Sequence, residues 1–361
     1  MIKRLIAICI FCLGFSLQGY AQEIKSPIRD ASPTTDAHMP IIQAGIALHD
    51  QGRYDDAIKK YQQVLAENPD DVLALYEMGY AYSAKKDYRK SLEIAYQGAT
   101  YKSKHLASFY VLIGNALDNL NESDKALKVY QTALIWYPDN ALLRFNLGVT
   151  QLRLNKLAEA KVSMKQTMMA DPNYRSSHYF LSQLYYQENY TLPAIMALCR
   201  FLQVEPRSQR SAPALQALKV IVQGGAQKNE KGQTHITVNP NTKTEEGDFA
   251  ALELSLAILG STRSLEKFRD KTDAQWFAYC LVFLFEMMNE KSDSAKGSGF
   301  AWNYYRPYFL EMVRLHHVET FAYFIQQSDN SPECIRWLEQ NPAKVEAFLA
   351  WSKDFIWYNG R

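Results

Sequence analysis

The sequence predicts an all-α chain of about five stacked helical hairpins with a capping helix, followed by a further helical region. Three observations predict it. Small residues recur at Gly45, Gly79, Gly114, Gly148 and Ser182, spaced 34, 35, 34 and 34 apart. A second small slot runs in step through Ala57, Ser91, Ala126, Ala160 and Ala194, and a terminating slot through Pro69, Ser103, Pro138, Pro172 and Pro206. Glycine midway along one helix lets a second helix approach closely, alanine meets it at the same crossing, and proline ends the pair. Third, the apolar spacing between these marks is helical. Ala57, Ile58, Tyr61, Val64 and Leu65 follow a three-to-four rhythm, as do Ala126, Leu127, Tyr130, Ala133 and Leu134.

The marks resemble those of the tetratricopeptide repeat family. Repeat one supplies Gly45, Gly52, Tyr54, Ala57, Tyr61 and Pro69, and repeat four supplies Phe145-Asn146-Leu147-Gly148 with Ala160 and Pro172. The resemblance covers about Met39 to Pro206. Repeat two departs from it, with Ser91, Ala95, Gly98 and Ser103, and one extra residue enters before repeat three. The resemblance implies a right-handed superhelix whose first helices line a concave surface, and a non-catalytic scaffold that binds a protein or peptide there. With the glycine slot as position 8, it directs positions 2, 5, 6, 9, 12 and 13 inward. Those positions hold Tyr76 and Tyr80 in repeat two, and Asn115, Asp118 and Asn119 in repeat three. Repeat four contributes Phe145, Asn146 and Arg153, and repeat five Tyr179, Phe180, Gln183 and Tyr186. Rings and amides suit an extended peptide, since rings pack its side chains and amides pair with its backbone. The competing reading of the position-5 rings is packing between helices. A family variant captures peptide C-termini with two asparagines and three basic residues. Asn115 and Asn146 match its asparagines, but Val111, Ser176 and Phe180 stand where its cations would be, so carboxylate capture is not expected.

A chain of 361 residues, 47% hydrophobic and 22% charged, has material for about two globular domains. Residues 1–21 read as a secretory signal peptide: MIKR, then an apolar run, then Gly19-Tyr20-Ala21 before Gln22. An uncleaved anchor is the other reading, although the run falls short of the roughly 20 residues that a span needs. Large Ile8 and Phe11 precede Cys9 and Cys12, which argues against lipidation. Cleavage would remove Lys3 and Arg4 and leave 38 basic against 38 acidic residues, a neutral balance without the basic footprint of a nucleic-acid or anionic-membrane partner. No direct membrane insertion is expected after cleavage, and the export signal points to a periplasmic or secreted location. Residues 22–38, polar with Pro27 and Pro33, read as a flexible tether, and residues 39–223 as the array with its capping helix after Pro213.

Residues 224–247 read as a linker with one short strand near Ile236 and Val238, and 248–361 as a helical domain with its own core. Five of the six tryptophans fall in that last stretch, and helix starts are expected at Asp248, Ser331-Pro332 and Asn341-Pro342. Trp276 to Phe285 is apolar at every residue, which marks a buried helix too short for a bilayer. Cys199, Cys280 and Cys334 sit in apolar helical contexts that suit buried thiols. HExxH, GxSxG, phosphate-loop and dinucleotide patterns do not occur. Glu311, His316, His317 and Glu319 form a poor metal set, because adjacent histidines point about 100° apart on a helix. No cofactor or metal is therefore expected. Two alternatives to the scaffold remain open: an enzyme whose site lies in 248–361, and a structural subunit of an envelope assembly; the sequence leaves the oligomeric state open. The exported form is expected to begin at Gln22, and N-terminal sequencing of the chain from its native cells checks this; a chain that keeps Met1 overturns it.

Overall fold

The structure, a computed structural model, describes residues 24–223, 226–228, 234–236, 244–290 and 297–358. The expected signal peptide lies outside the described residues. The chain divides into two compact units between Phe109 and Tyr110.

The first unit holds two hairpins, α1 (Met39–Asp50) with α2 (Tyr54–Glu67) and α3 (Val72–Ala84) with α4 (Tyr88–Gly98). Pro40 sits in the first turn of α1, and the Asp71 side chain caps α3 by accepting from the Leu73 and Ala74 amides at 3.1 and 3.0 Å. Gly45 is the close crossing: a Cβ there would lie 2.5 Å from Tyr61 Cε1, so the ring of α2 occupies the space a side chain would need.

The expected flexible tether is corrected for Ile28 to Thr34, which are seated on this unit. Strand β1 (Arg29–Asp30) pairs in parallel with β2 (Tyr101–Lys102), Arg29 opposite Tyr101. The amides of Ile28 and Arg29 both donate to Thr100 O at 3.1 Å, and Ser32 N donates to Asp70 O at 3.3 Å. The cause is the irregular end of repeat two: Ser103 stands in the proline slot, and the extra residue leaves Tyr101–Lys102 extended after a turn at Thr100, with backbone groups to pair. Grip and cost nearly balance. Each hydrogen bond contributes about 0.5–1.5 kcal/mol net, ordering a residue costs about 1–2 kcal/mol, and Ile28, 83% exposed, adds no apolar anchor.

The second unit takes in most of α5 (Leu106–Asn119), then α6 (Ser123–Trp136), α7 (Ala141–Arg153), α8 (Leu157–Ala170), α9 (Arg175–Gln187), α10 (Thr191–Val204) and α11 (Ser211–Gln223). Asn121, Asn155 and Asn189 turn its hairpins in the left-handed region, at φ of 63°, 57° and 65°. Then follow α12 (Ala250–Ser261), α13 (Glu266–Arg269), α14 (Asp273–Glu290), α15 (Phe300–Tyr304), α16 (Arg306–Arg314), α17 (Val318–Phe324), α18 (Pro332–Gln340) and α19 (Pro342–Asp354). The last two begin at the prolines that mark them. Among the described residues no helix is long and apolar enough to cross a membrane.

The expectation that 248–361 has its own core is corrected. One buried cluster runs from Met164 and Met168 through α10 and α11 to Phe277, Phe309, Phe321 and Phe348. The reason lies in α10, where every residue from Leu192 to Gln203 is buried, so the helix needs cover on all sides. Helix α11 covers α10 as expected of the capping helix, and it is itself covered in turn by α12 and α14.

The end of the expected linker is likewise docked. Two short strands, β3 (Ala226–Lys228) and β4 (Thr234–Ile236), pair antiparallel where one was expected. Glu246, 2% exposed, accepts from the Lys165 ammonium and from the Tyr185 hydroxyl at 2.8 Å, while its carbonyl takes Trp302 N at 3.1 Å. Glu253 of α12 accepts from Leu192 N at 2.9 Å, at the amino end of α10.

Burial pushes the Glu253 carboxyl up to about 7, with the Leu192 and Thr191 amides pulling the other way. A raised acid stabilises the fold below its unfolded pKa, near 4.5, and that contribution is lost as pH rises through about 7. Buried His178, held down to about 3 by burial and by the Arg200 charge, works on the acid side, where stability is lost as pH falls below about 6.5. Glu253→Gln keeps the acceptor and removes the titration. Urea midpoints at pH 5 and pH 8 should therefore fall further for the native chain than for Glu253→Gln, at up to about 1.4 kcal/mol per pH unit; identical shifts would show that Glu253 does not titrate in this range.

Candidate protein-interaction surfaces

In the first unit the predicted rings Tyr76 and Tyr80, four residues apart on α3, stack with centroids 6.3 Å apart and planes 4° from parallel. His49 of α1 extends the file beyond Tyr80 at 4.8 Å, and His105 extends it beyond Tyr76 at 5.9 Å. Tyr80 is 46% exposed, so the file is open to solvent at its centre. Sequence reasoning missed both histidines. His49 occupies position 12 of repeat one, and the same inward count applied to that repeat finds it. Beside the file Glu77, at position 6, has its carboxyl raised by burial, with His49 opposing and Asp50 adding to the shift.

In the second unit the predicted residues divide into two sets. Asp118 and Arg153 prove structural, which corrects their assignment to the groove. Asp118 is 4% exposed and accepts from the Ser123 hydroxyl and from Thr150 Oγ1, the latter at 3.0 Å. Arg153 Nη1 donates to Asp118 O at 2.6 Å and lies 3.5 Å from its carboxylate, so this clasp ties repeat three to repeat four. Asn115 accepts from the Tyr130 hydroxyl at 2.7 Å, which commits its amide oxygen to the hairpin. Phe145 packs against Tyr174 and Phe180, and Tyr179 against Phe201, which is the packing role weighed for position 5.

The second set faces outward. Asn119 and Asn146 each donate Nδ2 to the carbonyl four residues earlier, at 2.8 Å in both. Asn119 and Gln183 are exposed, and Tyr186 is 59% exposed. Of the three positions where a clamp would need cations, Val111 is buried, Phe180 is packed on Phe145, and the Ser176 hydroxyl accepts from Arg210 Nη1 at 3.1 Å.

The C-terminal helices meet repeats four and five through other side chains. Tyr305 OH donates to His178 Nδ1 at 2.8 Å, whose Nε2–H donates to Pro172 O at 2.9 Å. Tyr304 OH donates to Met168 O at 3.1 Å, and Gln203 Nε2 donates to Ser352 Oγ at 2.6 Å. Met168 and Gln203 lie on the second helices α8 and α10 and Pro172 in the loop after α8, while His178 lies on the buried side of α9, whose Gln183 and Tyr186 are exposed.

Shifted titratable groups in the C-terminal helices are dispersed. Glu253 serves α10, the Cys280 thiol is pushed up to about 12 by burial, Cys334 is a buried thiol, and His317 packs on Phe348 and Trp351. Cys199, Cys280 and Cys334 are free and buried. The histidine pair follows a helix end: α16 ends at Arg314, and His316 takes a left-handed φ of 56°. Among the described residues no three His, Cys, Asp or Glu side chains stand together as a metal site.

Arg153→Ala should lower stability by about 1 kcal/mol because it strips a buried carboxylate and carbonyl of a charged donor, whereas Gln183→Ala should stay within about 0.5 kcal/mol. Urea midpoints measure both, and equal midpoints would remove Asp118 and Arg153 from the repeat interface.

Comparison with known proteins bears on the repeats. A family model described as a TPR repeat matches residues 45–86, and a second, described as a tetratricopeptide repeat, matches residues 111–160. The chain is 25% identical over 174 residues to BBSome complex member BBS4 of Bos taurus, covering 47% of this chain and 33% of that protein. It is 23% identical over 145 residues to the Hsp70-Hsp90 organising protein of Plasmodium falciparum (isolate 3D7), covering 40% and 25% respectively. The chain thus spans a quarter to a third of the length of these curated relatives. Among solved structures, a thermophilic TPR protein of Thermus thermophilus shares 22% identity over 50% of this chain and 99% of its own, with a TM-score of 0.44. With the 34-residue period, the small-residue crossings and the hairpins of both units in place, the two family matches identify tetratricopeptide repeats in this chain, and the repeats continue into further helices.

Proposed function

We propose that the chain is a non-catalytic, exported scaffold of a bacterial-type cell envelope, and that the first helices of its second unit bind an extended segment of a protein or peptide partner. One observation carries the binding site. The C-terminal helices and the segment before them engage Lys165, Met168 and Gln203 of second helices and the buried His178 and Tyr185 of α9, while Asn119, Gln183 and Tyr186 stay exposed. Amides on such a face suit a peptide backbone, and the Tyr186 ring suits an apolar side chain. The positive start, short apolar run and Gly19-Tyr20-Ala21 support export.

The structural-subunit alternative rests on a different observation. A cavity of about 620 Å³ lies along α18 and α19, lined by Phe324, Leu338, Val345 and Leu349, and Leu349 is 42% exposed.

Crosslinking capture from envelope extracts with the mature chain, followed by titration of the captured partner, separates the two. Asn119→Ala, Gln183→Ala and Tyr186→Ala combined should weaken that partner at least tenfold, about 1.4 kcal/mol, with an unchanged melting profile. Unchanged affinity, together with loss on Leu349→Glu, would move the site to the C-terminal helices.

A further inference from the structure

We propose that the strip formed by Asp70, Asp71 and Thr100–Lys102 is a second peptide-binding surface, which takes an extended arginine-bearing peptide in trans and which the chain's own Ile28–Thr34 occupies in cis as a displaceable strap. The strip lies within the first unit, at the loops that follow second helices α2 and α4, apart from the ring file on first helices. It offers what an added strand requires. Thr100 O receives two amides at 3.1 Å, Asp70 O receives Ser32 N at 3.3 Å, and β2 presents a parallel edge to Arg29 and Asp30.

The arginine preference comes from Tyr101, whose side chain is built into the strip. Arg29 Nη1 donates to Tyr101 OH at 3.1 Å and its guanidinium lies 5.3 Å from the ring centroid. Tyr101 OH in turn donates to Asp70 Oδ1 at 2.5 Å, which turns the phenol oxygen's acceptor side towards the cation. Further along, Asp71 Oδ1 accepts the Thr34 hydroxyl at 2.9 Å, while its Oδ2, in a side chain 0% exposed, has no hydrogen-bond partner. A hydroxyl five residues after the arginine is therefore the second mark of the occupant.

The strap leaves readily because backbone pairing, one guanidinium, the Thr34 hydroxyl and a solvent-exposed Asp30–Lys102 ion pair at 3.3 Å hold it without an apolar anchor, and Ile28, Arg29 and Asp30 are all exposed. Covalent attachment raises its effective concentration to the millimolar range for a short linker, so a foreign peptide binds when the strap is out of register or outcompeted.

The probe is a fluorescein-labelled peptide of residues 24–36, titrated by anisotropy against the full chain with residues 28–34 replaced by glycine and serine. The replaced chain should bind it at least tenfold more tightly than the native chain, and the same peptide with Arg29→Ala should bind at least tenfold more weakly. Asp30→Cys with Lys102→Cys provides the control, since these residues are register partners and Cys199, Cys280 and Cys334, the cysteines among the described residues, are buried. Oxidation should abolish the binding seen at high peptide concentration, and reduction should restore it. If the replaced chain keeps the native melting profile and does not bind, the proposal fails. If it does not fold, the locked pair decides, and binding that is equal or absent in both redox states overturns the proposal. A native chain that dimerises through exchanged straps, seen as a concentration-dependent mass in light scattering, assigns the strip to a second copy and also overturns it.

Discussion

Helix α10 is the constraint on which the second unit depends. Its sequence TLPAIMALCRFLQV leaves no polar stripe wide enough for water, and each residue from Leu192 to Gln203 is buried. A second helix of a solenoid normally covers one side against its own first helix and another against the next repeat. Here the next elements are α11 and α12, and beyond them α14 and α16, so the aromatic C-terminal helices complete the last repeat. This is why 248–358 has no separate core, despite a composition that differs from that of the repeats.

Apolar cover alone would leave the docking angle loosely defined, and buried polar contacts set it. Glu246 receives Lys165 and Tyr185, Glu253 receives the amino end of α10, and neutral His178 links Pro172 to Tyr305. Arg200 goes further. Its guanidinium, 3% exposed, donates to Gln203 Oε1 at 2.9 Å and Asn173 Oδ1 at 2.7 Å, and its charge faces the rings of Trp357 at 4.7 Å and Tyr308 at 5.4 Å. Burial lowers its pKa, and rings in place of a carboxylate avoid desolvating a second full charge. Each contact has one geometry, whereas the apolar surface around it has many.

The repeats were legible because a helix crossing admits only small residues and recurs with each hairpin. Their turns were legible too, but by a signal left unused: Gly52, Lys86, Asn121, Asn155 and Asn189 all lie in the left-handed region, at the same position of successive repeats. Asparagine and glycine adopt that conformation at less cost than lysine, so Lys86 is another irregularity of repeat two. The inward positions were legible as places and not as roles. Position 12 is Asp118 in a buried clasp, exposed Tyr186 in repeat five and stacked His49 in repeat one, and only the neighbours of each decide which. The seam escaped notice because Glu245-Glu246-Gly247 reads as polar loop, and its partners Tyr185 and Tyr190 lie some sixty residues away along the chain.

Irregularity in repeat two carries a consequence for function. A regular terminating proline would have no amide to give a ladder and would hold the chain close to the next helix. Ser103 and the inserted residue instead let Tyr101–Lys102 run extended, which gives an otherwise helical unit a strand edge, the one that β1 pairs with. An open edge attracts extended chain from any source, so a scaffold that keeps one needs a resident occupant to prevent indiscriminate pairing. Ile28–Thr34 meets that need with polar and proline residues that pair through the backbone and bury little, so the edge is covered without being sealed. The first-helix face has no such occupant among the described residues. If that face binds a partner as proposed, selectivity there comes from side chains such as Asn119, Gln183 and Tyr186, whereas at the proposed strap edge it comes from the strap that a competitor must displace.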